Sequence, residues 1–405
     1  MSAPGERIAS LDLIRGVAVM GILLMNIQAF AMPEAAYANP AAYGSRGWLD
    51  YAVWAAEFVL VDGKMRGLFS WLFGASLLLV VERAEAAGRS GAATHYRRMI
   101  WLFAFGLAHL VLVWDGDILT HYALVGAIAF AFRRKPPHAL MAAAISLIVL
   151  EALVVLPIPL TLDGVGTGPP DQQSAQLLAS LRDQFGIPPP SSIAASLALH
   201  RGPSVALVAS RFVDAPHIVF GALWSVGPET LAYMLLGMAG LKSGMLTGGW
   251  PRQAYRRGAV VGFGLGVPAY ALVAAWVAWR RFDAGAVAWE SLVLTVPIRP
   301  AMIAGWACLL LWFRWPERLH ARVAAGGRMA FSNYLGTSLI CAALFDGLGW
   351  FGRFSRAELL LIVAAIWAAM LLWSRPWLAR FRYGPLEWAW RSLARGRWEP
   401  MRLAA

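Results

Sequence analysis

Long apolar stretches separated by short polar connections recur along the whole chain. A transmembrane helix needs about 20 mainly apolar residues, and ten stretches approach that length. They are 11–31, 64–82, 99–115, 117–132, 139–158, 219–241, 258–279, 290–313, 329–350 and 357–374. The pattern predicts an all-α fold, a polytopic helical membrane protein with about ten transmembrane helices.

Two further stretches do not fit a simple span. Residues 48–62 are apolar but short, and we interpret them as a helix that lies at the outer interface or dips in from it; whether they cross stays open. Residues 159–218 are the longest non-membrane stretch, predicted as a proline-rich outer loop with a short helix near 172–185. The chain then divides into four parts: helices one to five with a polar site (1–158), the outer loop (159–218), helices six to ten (219–380), and a basic cytoplasmic tail (381–405).

Arginine and lysine collect in five of the connections. These basic clusters lie within 83–98, 133–135, 242–257, 314–328 and 375–402. All five fall on one side if ten segments cross, so the positive-inside rule places both termini in the cytoplasm. Ala29-Phe30-Ala31 resembles a signal-peptidase site, but Asp12 and Arg15 argue that the first segment is retained.

Composition supports the membrane class. Hydrophobic residues make up 59% of the chain and charged residues only 14%, whereas a soluble domain has about 25% charged residues. Soluble, disordered and fibrous classes are therefore excluded. The net charge of +12 is interpreted as the cytoplasmic basic clusters, not as a nucleic-acid surface.

No motif of a soluble enzyme is convincing. Cys308 and Cys341 lie in apolar stretches and are expected to be buried, with neither a disulfide nor a metal. Gly262-x-Gly264-x-Gly266 lies inside a span, where it predicts close helix packing and not a nucleotide loop.

Ionisable residues inside spans are costly, so each is a functional candidate. Asp12 and Arg15 share one helix face, either as a local ion pair or as part of a site. Asn26 lies three turns above Arg15 on nearly the same face and either joins helices or lines a polar shaft.

A second polar group follows on the third and fourth segments. His109 is either a hydrogen-bonded packing residue or a general base. Asp115, Asp117 and Tyr122 gather with His121 at the outer end of these segments, either as a polar cap or as part of the site.

The later segments carry further candidates. Glu229 and Arg299 each lie beside a proline that breaks a helix, and they either pair or flank a ligand. Lys64 and Arg66 are expected to extend toward the outer interface. The remaining candidates for binding a substrate are Arg328 and Asn333.

Several ordered motifs carry a resemblance over most of the chain. They are Leu11-Asp12-x-x-Arg15-Gly16, Leu68-Phe69-Ser70-Trp71-Leu72-Phe73-Gly74, Gly106-Leu107-x-His109, Trp114-x-Gly116-Asp117-Ile118-Leu119-x-x-Tyr122, Gly327-Arg328-Met329-Ala330-x-x-Asn333 and Phe381-Arg382-x-Gly384-Pro385-Leu386-Glu387-Trp388. With them the chain resembles the YeiB-type family of bacterial membrane proteins, known as domain of unknown function 418. That family is similar in turn to the transmembrane acyltransferase superfamily.

The wider resemblance implies an expectation about chemistry. Type-three acyltransferases of the superfamily have a histidine eleven residues after the first-helix arginine, where this chain has Asn26 after Arg15. The heparan-alpha-glucosaminide N-acetyltransferase branch has asparagine there too, but its catalytic histidine follows soon after, and no histidine lies between Asn26 and Phe69. His109 is the best remaining candidate for that role.

The leading hypothesis is an acyltransferase that takes an acyl group from acyl-CoA, a co-substrate and not a resident cofactor, to a small-molecule or lipid-linked acceptor. Arg15 would orient the donor, Asn26 would steady an oxyanion, and His109, tuned by Asp115 or Asp117, would activate the acceptor. The alternatives are a transporter or flippase built on Glu229 and Arg299, and an assembly partner without a ligand. The expected partners are the bilayer and the acceptor, without nucleic acid or metal; a homo-oligomer stays open.

Overall fold

The structure, a computed structural model, describes residues 8–164 and 171–403. Regular structure in these ranges is helical, apart from an isolated antiparallel bridge between Phe381 and Arg402. The all-α prediction is confirmed. Part of the predicted outer loop, 165–170, and the two ends of the chain lie outside the described residues.

The first half of the described chain forms nine α-helices. They are α1 (Ala9–Ala31), α2 (Trp48–Leu60), α3 (Lys64–Ala86), α4 (Gly91–Leu112), α5 (Leu119–Ala129), α6 (Pro137–Val155), α7 (Pro157–Leu162), α8 (Gln172–Phe185) and α9 (Pro190–Arg201). Short 3-10 helices follow α1 at Glu34–Ala36 and α5 at Phe130–Phe132.

The second half forms nine more. They are α10 (Ser204–Ser225), α11 (Gly227–Lys242), α12 (Arg252–Trp279), α13 (Ala284–Trp289), α14 (Arg299–Trp312), α15 (Glu317–Arg328), α16 (Ala330–Ala342), α17 (Arg356–Arg380) and α18 (Pro385–Arg395). Two π-helical turns, Glu290–Leu294 and Ala343–Gly347, extend α13 and α16.

Within the described ranges, six helical stretches are long and apolar enough to cross a membrane. They are α1, α2 with α3, α6 with α7, α10, α12 and α17. A seventh is added if α13, its π turn and α14 count as one span bent by 61°. Helices α4, α5, α11 and α16 are too short or too polar to qualify by themselves, although the apolar pattern includes each of them in a predicted span.

Glycines bring the central helices close together. A Cβ on Gly74 of α3 would lie 2.0 Å from the carbonyl oxygen of Met234 in α11, and one on Gly237 would lie 1.9 Å from that of Trp71. No side chain fits at either position. The contact is typical of membrane helices, where small residues let backbones touch, and it packs α3 directly against α11.

The predicted glycine packing in α12 holds at two of its three positions. A Cβ on Gly262 would meet the Ala301 carbonyl at 2.5 Å, and one on Gly266 would meet Met302, whereas Gly264 faces open space. Gly262 and Gly266 therefore let α12 pack closely on α14. Cys308, in the same contact, is a buried free thiol, as is Cys341.

Two predicted boundaries are wrong. The sixth segment, 219–241, is not one helix, because the chain breaks at Val226 between α10 and α11. The stretch 159–218 is more than a loop. It contains the expected helix, α8, but also α9 and most of α10, whose apolar residues continue from the loop into the segment after it.

Candidate functional site

A cavity of about 490 Å³ opens among α1, α3, α4, α5, the α15–α16 junction and the tail that includes α18. We call it the inner cavity. Six arginines line it: Arg15, Arg83, Arg98, Arg328, Arg382 and Arg391. Only two carboxylates, Asp12 and Glu387, share the lining with them. The wall is therefore strongly cationic, which suits an anionic group.

The contacts of three of these arginines are defined, and one of them, Arg391, stacks over the Tyr383 ring with its guanidinium carbon 4.4 Å from the ring centroid. Arg15 Nη1 lies 3.2 Å from Asp12 Oδ1, and its Nη2 donates to Ser76 Oγ at 3.0 Å. Arg98 stacks over the ring of Trp390 with its guanidinium carbon 4.0 Å from the ring centroid. Arg98 also faces the like charges of Arg391, Arg395 and Arg15. An anion bound here would relieve that repulsion.

The other part of the inner cavity is apolar. Aliphatic and aromatic side chains from several helices line it, among them Val19, Ile22, Phe69, Phe73 and Leu102. Ile22 lies seven residues beyond Arg15 on α1, which is about 10 Å along a helix axis. The cavity is thus amphipathic, with a cationic part and an apolar part on the same wall.

Tyr122 joins the lining at the apolar part and connects it to the protein core. Its hydroxyl lies 2.8 Å from Ser70 Oγ and 3.2 Å from the carbonyl oxygen of Arg66. Ser70 is fully buried. This hydrogen-bonded group closes the cavity on the side where Arg66 enters a second polar cluster.

His109 and Asp117 form a buried dyad. His109 Nδ1 lies 2.8 Å from Asp117 Oδ1, while Asp117 Oδ2 accepts from the Thr120 amide and hydroxyl, both at 2.8 Å. The Thr120 contacts fix Asp117 as an acceptor, and a neutral imidazole that donates to it from Nδ1 would carry its lone pair on Nε2. That Nε2 is buried and has no hydrogen-bond partner among the described residues.

The dyad lies beside the inner cavity and not in its wall. Tyr334 lies between, since its ring is 5.5 Å from the His109 ring, centroid to centroid, and it also lines the cavity. Asp115 is exposed and does not join the dyad. Asn26 is half-buried and outside the lining. Of the residues assigned to the mechanism, the structure places Arg15 in the cavity and His109 next to it.

Glu229 and Arg299 meet, as one of the two interpretations requires. Arg299 Nη1 donates to Glu229 Oε1 at 2.5 Å, and Arg66 donates to Oε2. Tyr233 adds its hydroxyl at 2.7 Å. We call Arg66, Glu229 and Arg299 the outer triad. The geometry favours a pairing network over two separate groups that flank a ligand.

The expectation that Lys64 and Arg66 extend outward is wrong. Lys64 is fully buried, donates to the carbonyl of Phe58, and lies with Nζ 3.2 Å from the Tyr270 ring centroid. Arg66 turns inward to Glu229. The apolar pattern could not predict these inward directions, because a lysine or arginine side chain at the start of a helix can extend either to the membrane interface or into the bundle.

Asn333 serves helix packing. Its amide nitrogen donates to the Gly326 carbonyl at 3.0 Å and to Ser374 Oγ at 3.2 Å, and its oxygen accepts from the Trp373 indole. It therefore joins α15, α16 and α17, and it does not line the inner cavity, whereas Arg328 does.

The tail closes part of the inner cavity. Glu387 of α18 accepts from the amides of Phe331 and Ser332 and from the Ser332 hydroxyl at the start of α16. The Trp390 indole donates to the Arg98 carbonyl at 2.9 Å. Burial raises the pKa of Glu387.

Sequence reasoning missed Arg83, Arg98, Arg382 and Arg391 as site residues because it used the basic clusters only to orient the chain.

No cluster of three histidine, cysteine, aspartate or glutamate side chains suited to a metal ion occurs in 8–164 or 171–403.

Comparison of the sequence with known proteins identifies a family. Residues 241–397 match the family model described as a protein of unknown function, DUF418. The chain is 36% identical to YeiB of Escherichia coli K12 over 96% of both chains, and 29% identical to YxaH of Bacillus subtilis 168 over 98% of this chain and 96% of YxaH. Both relatives are described as uncharacterised. No solved structure matches the chain.

The chain therefore belongs to the YeiB-type, DUF418 family of proteins.

Proposed function

We propose that this protein is a ten-span inner-membrane acyltransferase with both termini in the cytoplasm. Apolar helical stretches long enough to cross support the membrane placement, and five of the six arginines of the inner cavity, all except Arg15, come from the basic clusters that the positive-inside rule assigns to the cytoplasm. Helix α10, although long and apolar enough to cross, would lie along the outer side and is not one of the ten proposed spans. Arg211 near its start pairs with Asp346 after α16, and its end leads directly into the outer end of α11.

One observation carries the proposed activity: a cavity of about 490 Å³ that combines six arginines with an apolar interior. Acyl-CoA has matching chemistry, because its phosphates are anionic and its acyl chain is apolar. Arginine binds phosphate oxygens through paired N–H donors. The thioester would lie between the two parts of the cavity, on the side where Tyr122 and Tyr334 line the wall.

The His109–Asp117 dyad would supply the base. The acceptor hydroxyl or amine attacks the thioester carbonyl carbon while His109 Nε2 removes its proton. The C–S bond then breaks, and the proton passes to the departing thiolate. Asp117 holds the imidazole by its Nδ1–H and stabilises the imidazolium that forms. Because Tyr334 stands between the dyad and the cavity, its side chain must turn aside to admit the acceptor.

Purified protein in lipid nanodiscs, supplied with radiolabelled acetyl-CoA or palmitoyl-CoA and an extract of membrane lipids and sugars, tests this function. The wild type should move label to an acceptor or release free CoA, and His109→Ala should reduce the rate by about a hundredfold or more. His138→Ala, which changes an exposed histidine, is the matched control and should retain the rate. Label that stays on CoA in the wild type, or equal rates in both variants, would contradict the proposal.

Transport is the second candidate, favoured by the helix pair bent by 61° and by the outer triad at its break. Ser76→Cys separates the two candidates, because Ser76 lines the inner cavity and both native cysteines are buried. A membrane-impermeant maleimide should label it only from the cytoplasmic side in an enzyme. Labelling from both sides would favour alternating access.

A further inference from the structure

Two glutamates close to the outer triad are buried without a partner for one oxygen. Glu151 of α6 and Glu290 of the π turn are each 3% exposed. The Oε2 atom of each has no hydrogen-bond partner among the described residues. Buried polar atoms are nearly always paired, so these two require a physical account.

The nearby cations are already engaged. Glu290 faces Asp62, Lys64 and Arg299. Lys64 donates to the Phe58 carbonyl and lies on the Tyr270 ring. Arg299 bonds to Glu229 and donates to Thr295 Oγ1 at 2.8 Å. Both cations therefore have other partners, and the third group that faces Glu290 is the carboxylate of Asp62.

Glu151 is in a similar position. It faces the carboxylate of Glu229 and the guanidinium groups of Arg66 and Arg299. Both arginines are directed at Glu229. The Glu229 amide donates to Glu151, but the Oε2 atom of Glu151 accepts nothing among the described residues. A buried ionised carboxylate without a committed counter-charge is unfavourable. The neutral acid avoids that cost, because it places a proton on the oxygen.

We propose that Glu290 and Glu151 form a proton-binding site beside the outer triad, and that release of the Glu290 proton redirects Arg299. With Glu290 neutral, Arg299 pairs with Glu229, as observed. With Glu290 ionised, two carboxylates compete for one guanidinium. The competition occurs where the helix is broken, since Glu290 begins the π turn and Arg299 begins α14 across the 61° bend.

The two glutamates lie outside the inner cavity, so proton binding here does not require acyl transfer there. The ligand is a proton, exchanged with water through the half-exposed region where Arg66 is 26% exposed at its side chain and Asp62 is half-buried. The break between the π turn and α14, 295–298, would be the element that responds.

Infrared spectroscopy of the protein in nanodiscs tests the proton site. The wild type at neutral pH should show a carbonyl band of protonated carboxylic acids that disappears as pH is raised. Glu290→Gln and Glu151→Gln should each remove part of the band, while Glu317→Gln, at an exposed glutamate, should leave it unchanged. Absence of this band from the wild type would overturn the proposal, and that result does not depend on the folding of any variant. A band that all three variants retain in full would overturn it as well.

Hydrogen–deuterium exchange of the 290–299 segment tests the switch. After correction for the intrinsic effect of pH, exchange in the wild type should increase over the pH range in which the infrared band is lost. Glu290→Gln, which cannot lose a proton, should keep the low exchange throughout. An increase of the same size in Glu290→Gln would show that Arg299 does not respond to Glu290.

Discussion

The inner cavity and the outer triad are built from the same residue types but arranged in opposite ways. In the inner cavity, arginines from five separate segments surround open space with few carboxylates. In the outer triad, two arginines converge on one glutamate, which is fully buried. In the first arrangement, the cationic wall can attract an anionic ligand. In the second, the arginines pair with a carboxylate of the protein itself. Arginine content alone therefore does not distinguish a binding site from a structural network.

The largest effect on stability is expected from a substitution that breaks the outer triad. Glu229→Leu leaves Arg66 and Arg299 buried without their carboxylate, and removing one partner of a buried ion pair costs about 3–5 kcal/mol. We expect a large drop in the midpoint of thermal unfolding in detergent. Glu317→Gln, on the surface, should leave the midpoint nearly unchanged. A Glu229→Leu protein as stable as the wild type would mean that the triad is not a stabilising network.

The second prediction is that an arginine of the inner cavity contributes to ligand binding and not to the stability of the fold. Arg98→Gln should weaken binding of a non-hydrolysable palmitoyl-CoA thioether by about tenfold or more, because a hydrogen bond to a charged group contributes about 1.5–3 kcal/mol. The free energy of unfolding should change little, since the substitution also removes the repulsion between Arg98 and the like charges around it. Isothermal titration in nanodiscs measures the affinity.

Arg257→Gln is the control for that measurement, because Arg257 is an exposed arginine of another basic cluster. It lowers the net charge by the same amount. If both variants weaken binding equally, the effect is one of overall charge, and the inner cavity is not the site.

The third prediction concerns the apolar part of the inner cavity. Ile22→Trp places a larger ring where an acyl chain would lie, and overpacking costs about 1–3 kcal/mol. Affinity for the palmitoyl-CoA analogue should fall roughly tenfold, while that for the acetyl-CoA analogue should stay the same. Leu153→Trp, at a position 61% exposed on α6, should alter neither. Equal losses for both analogues would place the acyl chain elsewhere.

The sequence predicts the class of fold well and the site only in part. Apolar length identifies α1, α12 and α17, and the turn at 115–117 brings Asp117 to His109 as the short connection requires. It cannot show that 219–241 breaks at Val226, because the apolar pattern continues across the break. Nor can it show that Arg83 and Arg98 converge with Arg391, since Arg391 lies near the other end of the chain and only tertiary packing brings them together.

The smallest effect is expected at the C-terminal tail, which lines part of the inner cavity. Hydrogen bonds from Arg395, with its Nη1 2.8 Å from Oε2, and from Arg397 lower the pKa of Glu399. A lowered pKa in the folded state means that ionised Glu399 stabilises the docked tail above the pKa of the unfolded chain. This contribution disappears as pH falls through the folded value.

Hydrogen–deuterium exchange of 396–403, corrected for intrinsic rates, should therefore rise modestly as pH is lowered below about 4, near the ordinary pKa of glutamate. Glu399→Gln should show the higher exchange already at neutral pH and lose the dependence. Glu387 acts in the opposite sense, because burial raises its pKa, so Glu387→Gln should retain the acid response of 396–403. If the response vanishes in Glu387→Gln and survives in Glu399→Gln, the tail is held to the cavity wall by its α16 contact and the Glu399 ion pairs contribute nothing.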